Sequence, residues 1–227
     1  TPCGTLFPYT TLFRSVKAKK IRKQKPLPEI KPEEIPFDIP ENWEWCRLGE
    51  TSFNLDGHRI PLRRTDREKK QGQYPYYGAS GIIDTIDGFT HEGDFLLIGE
   101  DGANLISRST PIAYQAHGRI WVNNHAHVLR FINDCLLDYH EIHINAIDLQ
   151  PYVTGGFQPK LSQGNLNTIL IALPPLPEQQ SIVRRVRDKL TLCDEIENQI
   201  DSSAETTETL SAVILQQLFE KQSKGPQ

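Results

Sequence analysis

The feature that most constrains this chain is a proline-rich junction between an apolar run and a long helical repeat. Residues 169–183 read Ile-Leu-Ile-Ala-Leu-Pro-Pro-Leu-Pro-Glu-Gln-Gln-Ser-Ile-Val. Proline cannot continue a strand ladder and interrupts a helix, but it is tolerated at the first helical position. The junction therefore predicts a rigid corner at which a compact domain ends and a long helix begins.

Beyond Pro177, apolar residues recur with heptad spacing as far as about Lys221. Such a helix spans roughly 65 Å at 1.5 Å per residue, and alone it would expose its apolar stripe. The predicted coiled-coil seam consists of Ile182, Val186, Cys193, Ile196, Ile200, Leu210 and Ile214. Polar residues interrupt the a and d positions at Lys189, Ser203, Thr207 and Gln217, which predicts a fixed register. A helix folded back on its own domain is the alternative.

Composition divides the chain into four regions. Residues 1–36 form a basic and proline-rich lead-in that we expect to be extended and weakly ordered. Residues 37–176 form a globular domain, residues 177–221 the long helix and residues 222–227 a tail. Because the chain has no methionine and residues 1–15 differ in character from the rest, we expect a fragment or a misread frame whose first 15 residues are not native.

Within the globular domain, the pattern predicts short strands separated by glycine and asparagine. The predicted strands are 81–87, 94–99, 111–114, 120–122, 126–131 and 168–172, and residues 136–148 form a predicted helix. The fold class is therefore α+β, with a few helices, followed by the long C-terminal coiled-coil helix.

Composition also restricts where the protein works and what it binds. No apolar run approaches the roughly 18 residues of a membrane span. The four cysteines form no CxxC pair, which favours free thiols in the cytoplasm. The net charge of −4 means that a nucleic-acid partner would need a local basic face. The candidate basic face is Arg59, Arg63, Arg64, Arg67, Lys69 and Lys70, and a solvated surface without function is the alternative.

Three segments combine glycine with side chains suited to recognition. Tyr74–Gly81 places tyrosines beside glycine, and Ile98–Asn104 is an acidic turn after an apolar strand. Tyr152–Gln163 contains Gln158, which can donate and accept on a base edge, and Lys160, which can meet a phosphate. Nucleophilic catalysis is not supported, because no Ser-His-Asp or Cys-His pattern has a credible spacing.

A histidine pair raises the alternative of a metal-dependent enzyme. His125 and His127 would point to the same face of a strand, as paired imidazole ligands require. His117, His140 or His143 could supply a third ligand, but nothing in the sequence places them at ligand spacing. We therefore predict no metal site and treat these histidines as structural.

Taken in order, these pieces resemble the specificity subunits of type I restriction-modification systems. The matching segments are KKIRKQKPLPEIKPEEIPFDIPENWEWCRLGE, YPYYGASGIID, LLIGEDGANL, WVNNHAHVL, TGGFQPKLSQ, LPPLPEQQSIVRRV and LCDEIE. They cover residues 19–200 nearly continuously. The chain is similar to one recognition domain and one long helix of that family, so it corresponds to half of a two-domain subunit or to a short version.

The resemblance implies a non-catalytic scaffold that reads double-stranded DNA. Residues 37–176 would be the target-recognition domain, and the long helix would dock the methyltransferase subunit. The restriction subunit would join through the complex. S-adenosylmethionine, ATP and Mg²⁺ are expected only on those partner subunits, and no cofactor is expected here. A half subunit could also pair with itself through the long helix, which would make its target palindromic.

Within the recognition domain, we assign seven residues to DNA. Arg63, Arg64 and Lys160 are predicted to contact phosphate, and Tyr77, Ser80, Asn104 and Gln158 are predicted to lie near bases. Because recognition domains differ in what they read, the motifs shared across the family are expected to hold the frame. A purely structural coiled-coil adaptor without DNA preference remains an alternative.

Overall fold

A computed structural model describes residues 26–131 and 134–223, and the chain divides into two units between Gln180 and Ser181. The predictions for residues 1–25 and 224–227 lie outside the described residues. The first unit combines two β-sheets with short helices, and the second continues a single long helix. The predicted α+β fold class with a long C-terminal helix is confirmed.

The main sheet of the first unit has six strands in the order β2-β7-β5-β6-β3-β4. Its strands are β2 (Ser52–Asn54), β3 (Gln71–Gly78), β4 (Gly81–Ile86), β5 (His91–Gly99), β6 (Ala113–Val122) and β7 (Ala126–Phe131). Neighbours pair antiparallel except β3 and β6, which are parallel through Tyr76 opposite Trp121 and Tyr77 opposite Val122.

Five short helices connect the strands within the described part of this unit or pack on them. They are α1 (Leu48–Thr51), α2 (Arg64–Glu68), α3 (Asn104–Ser107), α4 (Asp134–Ala146) and α5 (Gln163–Thr168). Helix α4 packs against β5, β6 and β7. The last five residues of β5, Phe95–Gly99, are all buried, because α4 covers one face and the apolar core lies on the other.

A second, two-stranded sheet joins the beginning of the domain to its end. Strand β1 (Glu44–Arg47) pairs antiparallel with β8 (Leu170–Leu173). Arg47 is only 3% exposed, and its guanidinium donates to the carbonyl oxygens of Pro28, Glu29 and Thr168 and to the Glu34 carboxylate. The described end of the lead-in is therefore held against the domain, and the weak order predicted for residues 26–36 is wrong.

At the proline-rich junction, the strand ends and the long helix begins where the sequence predicts. Helix α6 (Leu176–Ser223) begins immediately after Pro174 and Pro175, and Glu178 lies in its first turn. The carboxylate of Glu178 accepts hydrogen bonds from Trp43 Nε1 at 2.7 Å and from Asn42 Nδ2 at 2.5 Å. The first helical turn is thereby attached to the segment that precedes β1.

Helix α6 is 48 residues long and exposes apolar side chains along much of its length. The exposed apolar residues are Leu190, Leu192, Ile196, Ile200, Leu210, Val213, Ile214 and Leu215. Cys193 is exposed as well, and Ile182 and Val186 are partly buried. The helix itself is as expected, and its pairing as a coiled coil stays a prediction. No helix among the described residues is both long and apolar enough to cross a membrane.

Several predicted elements agree with the structure, and two were divided wrongly. Strand 126–131 has the predicted bounds, and helix α4 lies two residues before its predicted position. Residues 111–114 and 120–122 were predicted as separate strands, but β6 is one strand of ten residues from Ala113 to Val122. It contains polar residues and Gly118 at φ +77° in its middle, which hid its continuity in the sequence pattern.

We predict that Arg47→Met lowers the free energy of unfolding by about 2–4 kcal/mol, since it removes a buried guanidinium that donates to three carbonyl oxygens and pairs with Glu34. Urea unfolding followed by tryptophan fluorescence measures the change. Arg119→Met is the control, because its ion pair with Glu92 is half-exposed, and it should cost no more than about 1 kcal/mol. Equal losses in both variants would contradict the anchoring role of Arg47.

Candidate functional site

Four connecting segments of the first unit meet in a group that we call the loop cluster. It consists of residues 78–80, 99–104, 123–125 and 154–161. The Glu100 amide donates to the His125 carbonyl at 2.8 Å, and the Gly102 amide donates to the Pro159 carbonyl at 3.1 Å. A Cβ on Gly99 would lie 3.0 Å from the Ala79 carbonyl oxygen, so glycine permits this close approach. The cluster brings together four of the segments on which the family resemblance rests.

A network of ion pairs centred on the largely buried Glu100 holds the loop cluster in place. The Glu100 carboxylate accepts from the Arg59 guanidinium at 2.7 Å and from Lys160 Nζ at 3.1 Å. Arg59 also donates to the Ala126 carbonyl at 2.8 Å. The Glu100 side chain is largely buried, so each of its two oxygens needs a donor. The network therefore joins the segment before α2 to the 99–104 and 154–161 loops.

Asp56 and His127 extend this network into the interior. His127 Nδ1 lies 2.6 Å from Asp56 Oδ2, and His127 Nε2 lies 2.7 Å from the Leu161 carbonyl oxygen. A carboxylate and a carbonyl oxygen can both accept, so each ring nitrogen faces one acceptor. The other Asp56 oxygen accepts from the Val128 amide at 2.8 Å. The ring is thereby locked between three parts of the chain.

The basic partners in the network lower the pKa values of both of its carboxylates. Burial alone would raise the pKa of Asp56, but the hydrogen bond and charge of His127 and the charge of Arg59 hold that pKa below its usual value. Burial likewise opposes ionisation of Glu100, and Arg59, His127 and Lys160 together hold its pKa below the usual range. Both carboxylates are therefore ionised near neutral pH, and each is largely buried and paired with a basic side chain.

Three residues of the network lie close enough together to be considered as metal ligands. Ligand atoms of Asp56, Glu100 and His127 lie within 4.8 Å of one another. The positions that a cation would take beside them are held by Arg59 and Lys160, and both nitrogens of His127 are engaged. The predicted partner His125 instead lies at the surface beside Asp101, with Nδ1 2.9 Å from the carboxylate.

The other histidines do not complete a ligand set either. A ring nitrogen of His117 contacts Asp94, one of His140 contacts Thr51, and one of His143 contacts the Leu170 carbonyl. His125 and His127 therefore serve separate contacts, and the geometry does not support the alternative of a metal-dependent enzyme.

Three of the residues assigned to DNA from sequence lie exposed on the loop cluster. Ser80 is in the turn between β3 and β4, and Gln158 is in the 154–161 loop. Lys160 is 54% exposed even though its ammonium pairs with Glu100. The structure thus brings these three side chains to one group of loops, and their contacts with DNA stay predictions.

Two other assigned residues have structural roles that argue against base contacts. Tyr77 is 8% exposed and stacks on Tyr114 in the core, with ring centroids 6.0 Å apart. The Asn104 amide donates to the Thr110 carbonyl and accepts from the Thr110 amide and the Ser109 hydroxyl. Its polar atoms hold the turn that leads to β6. For both residues the geometry favours a structural role over the predicted contact with bases.

The predicted basic face is smaller in the structure than in the sequence. Arg59 is buried in the ion network, and Arg67 pairs with Asp84 at 2.9 Å beside the ring of Tyr76. Arg63 and Arg64 are exposed at the start of α2, and Arg64 pairs with Glu68 at 3.1 Å. Lys69 and Lys70 are exposed as well. The available positive surface therefore consists of Arg63, Arg64, Lys69 and Lys70.

Sequence reasoning missed two features of the site. Asp56 was not singled out, because a single aspartate before a glycine also fits an ordinary turn. Phe157 was quoted only as part of a glycine-rich loop, yet its side chain is fully exposed. An aromatic residue next to Gly155-Gly156 in a polar loop was the signal that could have identified it.

Comparisons with known proteins agree with the resemblance seen in the sequence. A family model described as the type I restriction modification DNA specificity domain matches residues 40–206. A protein of Haemophilus influenzae described as a type I restriction enzyme specificity subunit is 36% identical over 151 residues, which are 65% of this chain and 37% of that protein. The EcoEI specificity subunit of Escherichia coli is 24% identical over 217 residues, covering 84% of this chain and 36% of that protein.

A solved structure supports the fold. The chain aligns with one determined for the complex assembly and conformational transition of a type I R-M system, with a TM-score of 0.57 and 18% identity. The alignment covers 90% of this chain and 49% of that chain. This chain therefore spans little more than a third of the curated relatives described above and about half of that structure.

We predict that the double variant Asp56→Asn/Glu100→Gln has a lower free energy of unfolding at neutral pH. Its free energy of unfolding should also fall less steeply than that of the wild type as the pH is lowered. The folded pKa of each carboxyl lies below its ordinary value, 3.8 for Asp56 and 4.5 for Glu100. Their contribution is therefore complete above those values and disappears as the pH falls through the folded pKa. Unfolding free energies from urea titrations at a series of pH values measure the slope.

Glu92→Gln is the control for this experiment, since it removes an exposed carboxylate. The slope of its unfolding free energy against pH should equal that of the wild type. His91, whose pKa is lowered to about 4 mainly by burial, also destabilises the fold on acidification. The charge of Asp56 raises the pKa of His91, so the double variant also changes this contribution, and Glu100→Gln alone, which keeps Asp56, shows the part that belongs to Glu100. An unchanged slope in the double variant would contradict the charged state of the network.

Proposed function

The chain belongs to the family of type I restriction-modification DNA specificity domains, and from that premise we propose that it is a sequence-specific DNA-binding unit of such a system. It reads one half of a split target in double-stranded DNA. The observation that carries the proposal is the family match over residues 40–206, which includes all four segments of the loop cluster and the first part of α6.

The loop cluster is suited to reading DNA because a rigid frame supports exposed polar side chains. Ser80 and Gln158 offer donors and acceptors for base edges, and Lys160 keeps exposed donors for phosphate. Arg63 and Arg64 supply further phosphate contacts from α2. The ion network of Asp56, Arg59, Glu100, His127 and Lys160 holds the loops in one arrangement, which base recognition requires.

Helix α6 provides the contact with protein partners. Its exposed apolar residues from Leu190 to Leu215 are unfavourable in water and become buried when another helix packs on them. We propose the methyltransferase subunit as one partner, with the restriction subunit joining through the complex. A second copy of this chain is the other proposed partner, and its two-fold symmetry would give a palindromic target.

In this proposal the chain itself catalyses no reaction. Methyl transfer to adenine, ATP hydrolysis and DNA cleavage belong to the partner subunits, which also bind S-adenosylmethionine, ATP and Mg²⁺. The complex works in the cytoplasm, where the thiols of Cys46 and Cys193 would stay reduced.

We predict that co-expression with the neighbouring methyltransferase gene methylates adenine within one defined sequence of the host DNA. Sequencing that detects modified bases reads the site directly. Expression of the methyltransferase alone is the control and should leave that sequence unmethylated. Methylation at scattered sequences, or none, would contradict DNA reading and would favour a structural coiled-coil adaptor.

We predict that Ile196→Asp/Ile200→Asp prevents self-association through α6, because a carboxylate placed on the seam must be buried when two helices pair. Sedimentation of the wild-type chain at micromolar concentrations should give a dimer, and the variant should be a monomer. Asn198→Asp, at a heptad position away from the seam, is the matched control and should still dimerise. A monomeric wild type would contradict self-pairing.

A further inference from the structure

The 154–161 loop presents an aromatic ring to solvent in a way that no other described part of the first unit does. The side chain of Phe157 is 106% exposed, whereas the next most exposed large apolar side chain described in this unit, Ile82, is 59% exposed. A phenylalanine that contacts nothing in its own domain contributes nothing to the core. Its exposure is unfavourable in water until a partner covers the ring.

The backbone of the loop is closed at its base and follows a tight path. The Thr154 amide donates to the Lys160 carbonyl at 2.9 Å, and the Lys160 amide donates back to the Thr154 carbonyl at 2.7 Å. These two bonds close the base of the loop. Gly155 has φ +87°, and a Cβ there would lie 2.5 Å from the Gln158 carbonyl oxygen, so only glycine fits the tight path.

The base of the loop is also attached to the buried ion network. Lys160 pairs with Glu100, and the Leu161 amide donates to the Glu100 carbonyl at 2.8 Å. The Leu161 carbonyl in turn faces His127, which is 1% exposed. Phe157 therefore sits at the tip of a loop whose two ends are fixed to the interior, so its exposed position is part of the fold.

We propose that Phe157 is a wedge that stacks on, or inserts between, bases of bound DNA. This inference rests on the proposed function, and it adds a residue that neither the motif assignments nor the family match identifies. Apolar side chains inserted at a base step unstack it and bend the duplex, and aromatic rings stack on bases of any identity. A wedge of this kind positions the duplex against the loop cluster and does not by itself select a base.

The surroundings of the ring favour DNA over a pocket in a protein partner. The exposed neighbours within the loop are Thr154, Gly155, Gly156, Gln158 and Lys160, none of which offers a large apolar surface. An aromatic anchor in a protein interface is normally ringed by further contacts that exclude water. The two glycines here allow close approach of a sugar-phosphate backbone, Gln158 can bond a base edge, and Lys160 brings positive charge.

The test uses the full chain and the DNA sequence that wild-type protein selects from a pool of random duplexes. The selected duplex is then made with 2-aminopurine at each position in turn, because this base becomes brighter when it is unstacked. We expect wild-type protein to brighten one position or two adjacent positions. Phe157→Ala should abolish that signal and weaken binding by about ten-fold or more.

Two further variants separate the role of the ring from general damage. Phe157→Leu keeps an apolar wedge without a ring, so it should retain part of the fluorescence signal. Phe37→Ala removes an exposed aromatic ring that contacts Trp45 beside the two-stranded sheet, and it should change neither signal nor affinity. Circular dichroism of each variant verifies that the fold is intact.

The outcomes distinguish the wedge from the proposed function. If wild-type protein selects no sequence and shows no salt-dependent binding, both are overturned. If wild-type protein binds a selected sequence and Phe157→Ala binds it equally well with the same fluorescence, only the wedge is overturned. If Phe157→Ala keeps DNA binding but no longer retains the co-expressed methyltransferase, the ring belongs to a protein interface and the wedge is again overturned.

Discussion

The structure of the globular unit depends on the pairing of a few polar groups, most of them buried. Asp56, Arg59, Glu100, His127 and Lys160 come from four separate stretches of chain, and their side chains pair with one another. A buried charge left alone is strongly unfavourable, so the carboxylates of Asp56 and Glu100 need their partners in place. The loops that carry these residues must therefore assemble together or not at all.

This dependence separates the residues of the family motifs into those that hold the loops and those that the loops expose. The acidic turn after β5 and the strand β7 with its histidines both belong to segments that carry the family resemblance. In the structure their polar side chains face one another and fix the positions of the loops. The exposed side chains Ser80, Phe157 and Gln158 sit on this frame. A substitution at a buried charged residue destabilises the fold, whereas a substitution at an exposed residue of a loop leaves the fold intact.

The sequence predicted those elements that local pattern decides. Strand β7 is a short run rich in apolar residues, helix α4 carries apolar residues at helical spacing, and the three prolines placed the start of α6 within a residue. The roles of individual polar residues were not predictable in the same way. Arg59 looked like part of a basic surface, and Tyr77 looked like a ligand of bases, because sequence does not show which side chains come together across about forty residues.

The pairing of β1 with β8 gives the globular unit a particular response to mechanical force. Glu44 and Leu173 stand opposite each other at the open end of that two-stranded ladder, where the flanking segments join it. Tension along those segments loads the hydrogen bonds one after another, as in the opening of a zipper, and not all at once as in shear. Strain transmitted from neighbouring segments would part these two strands before it reached the six-stranded sheet.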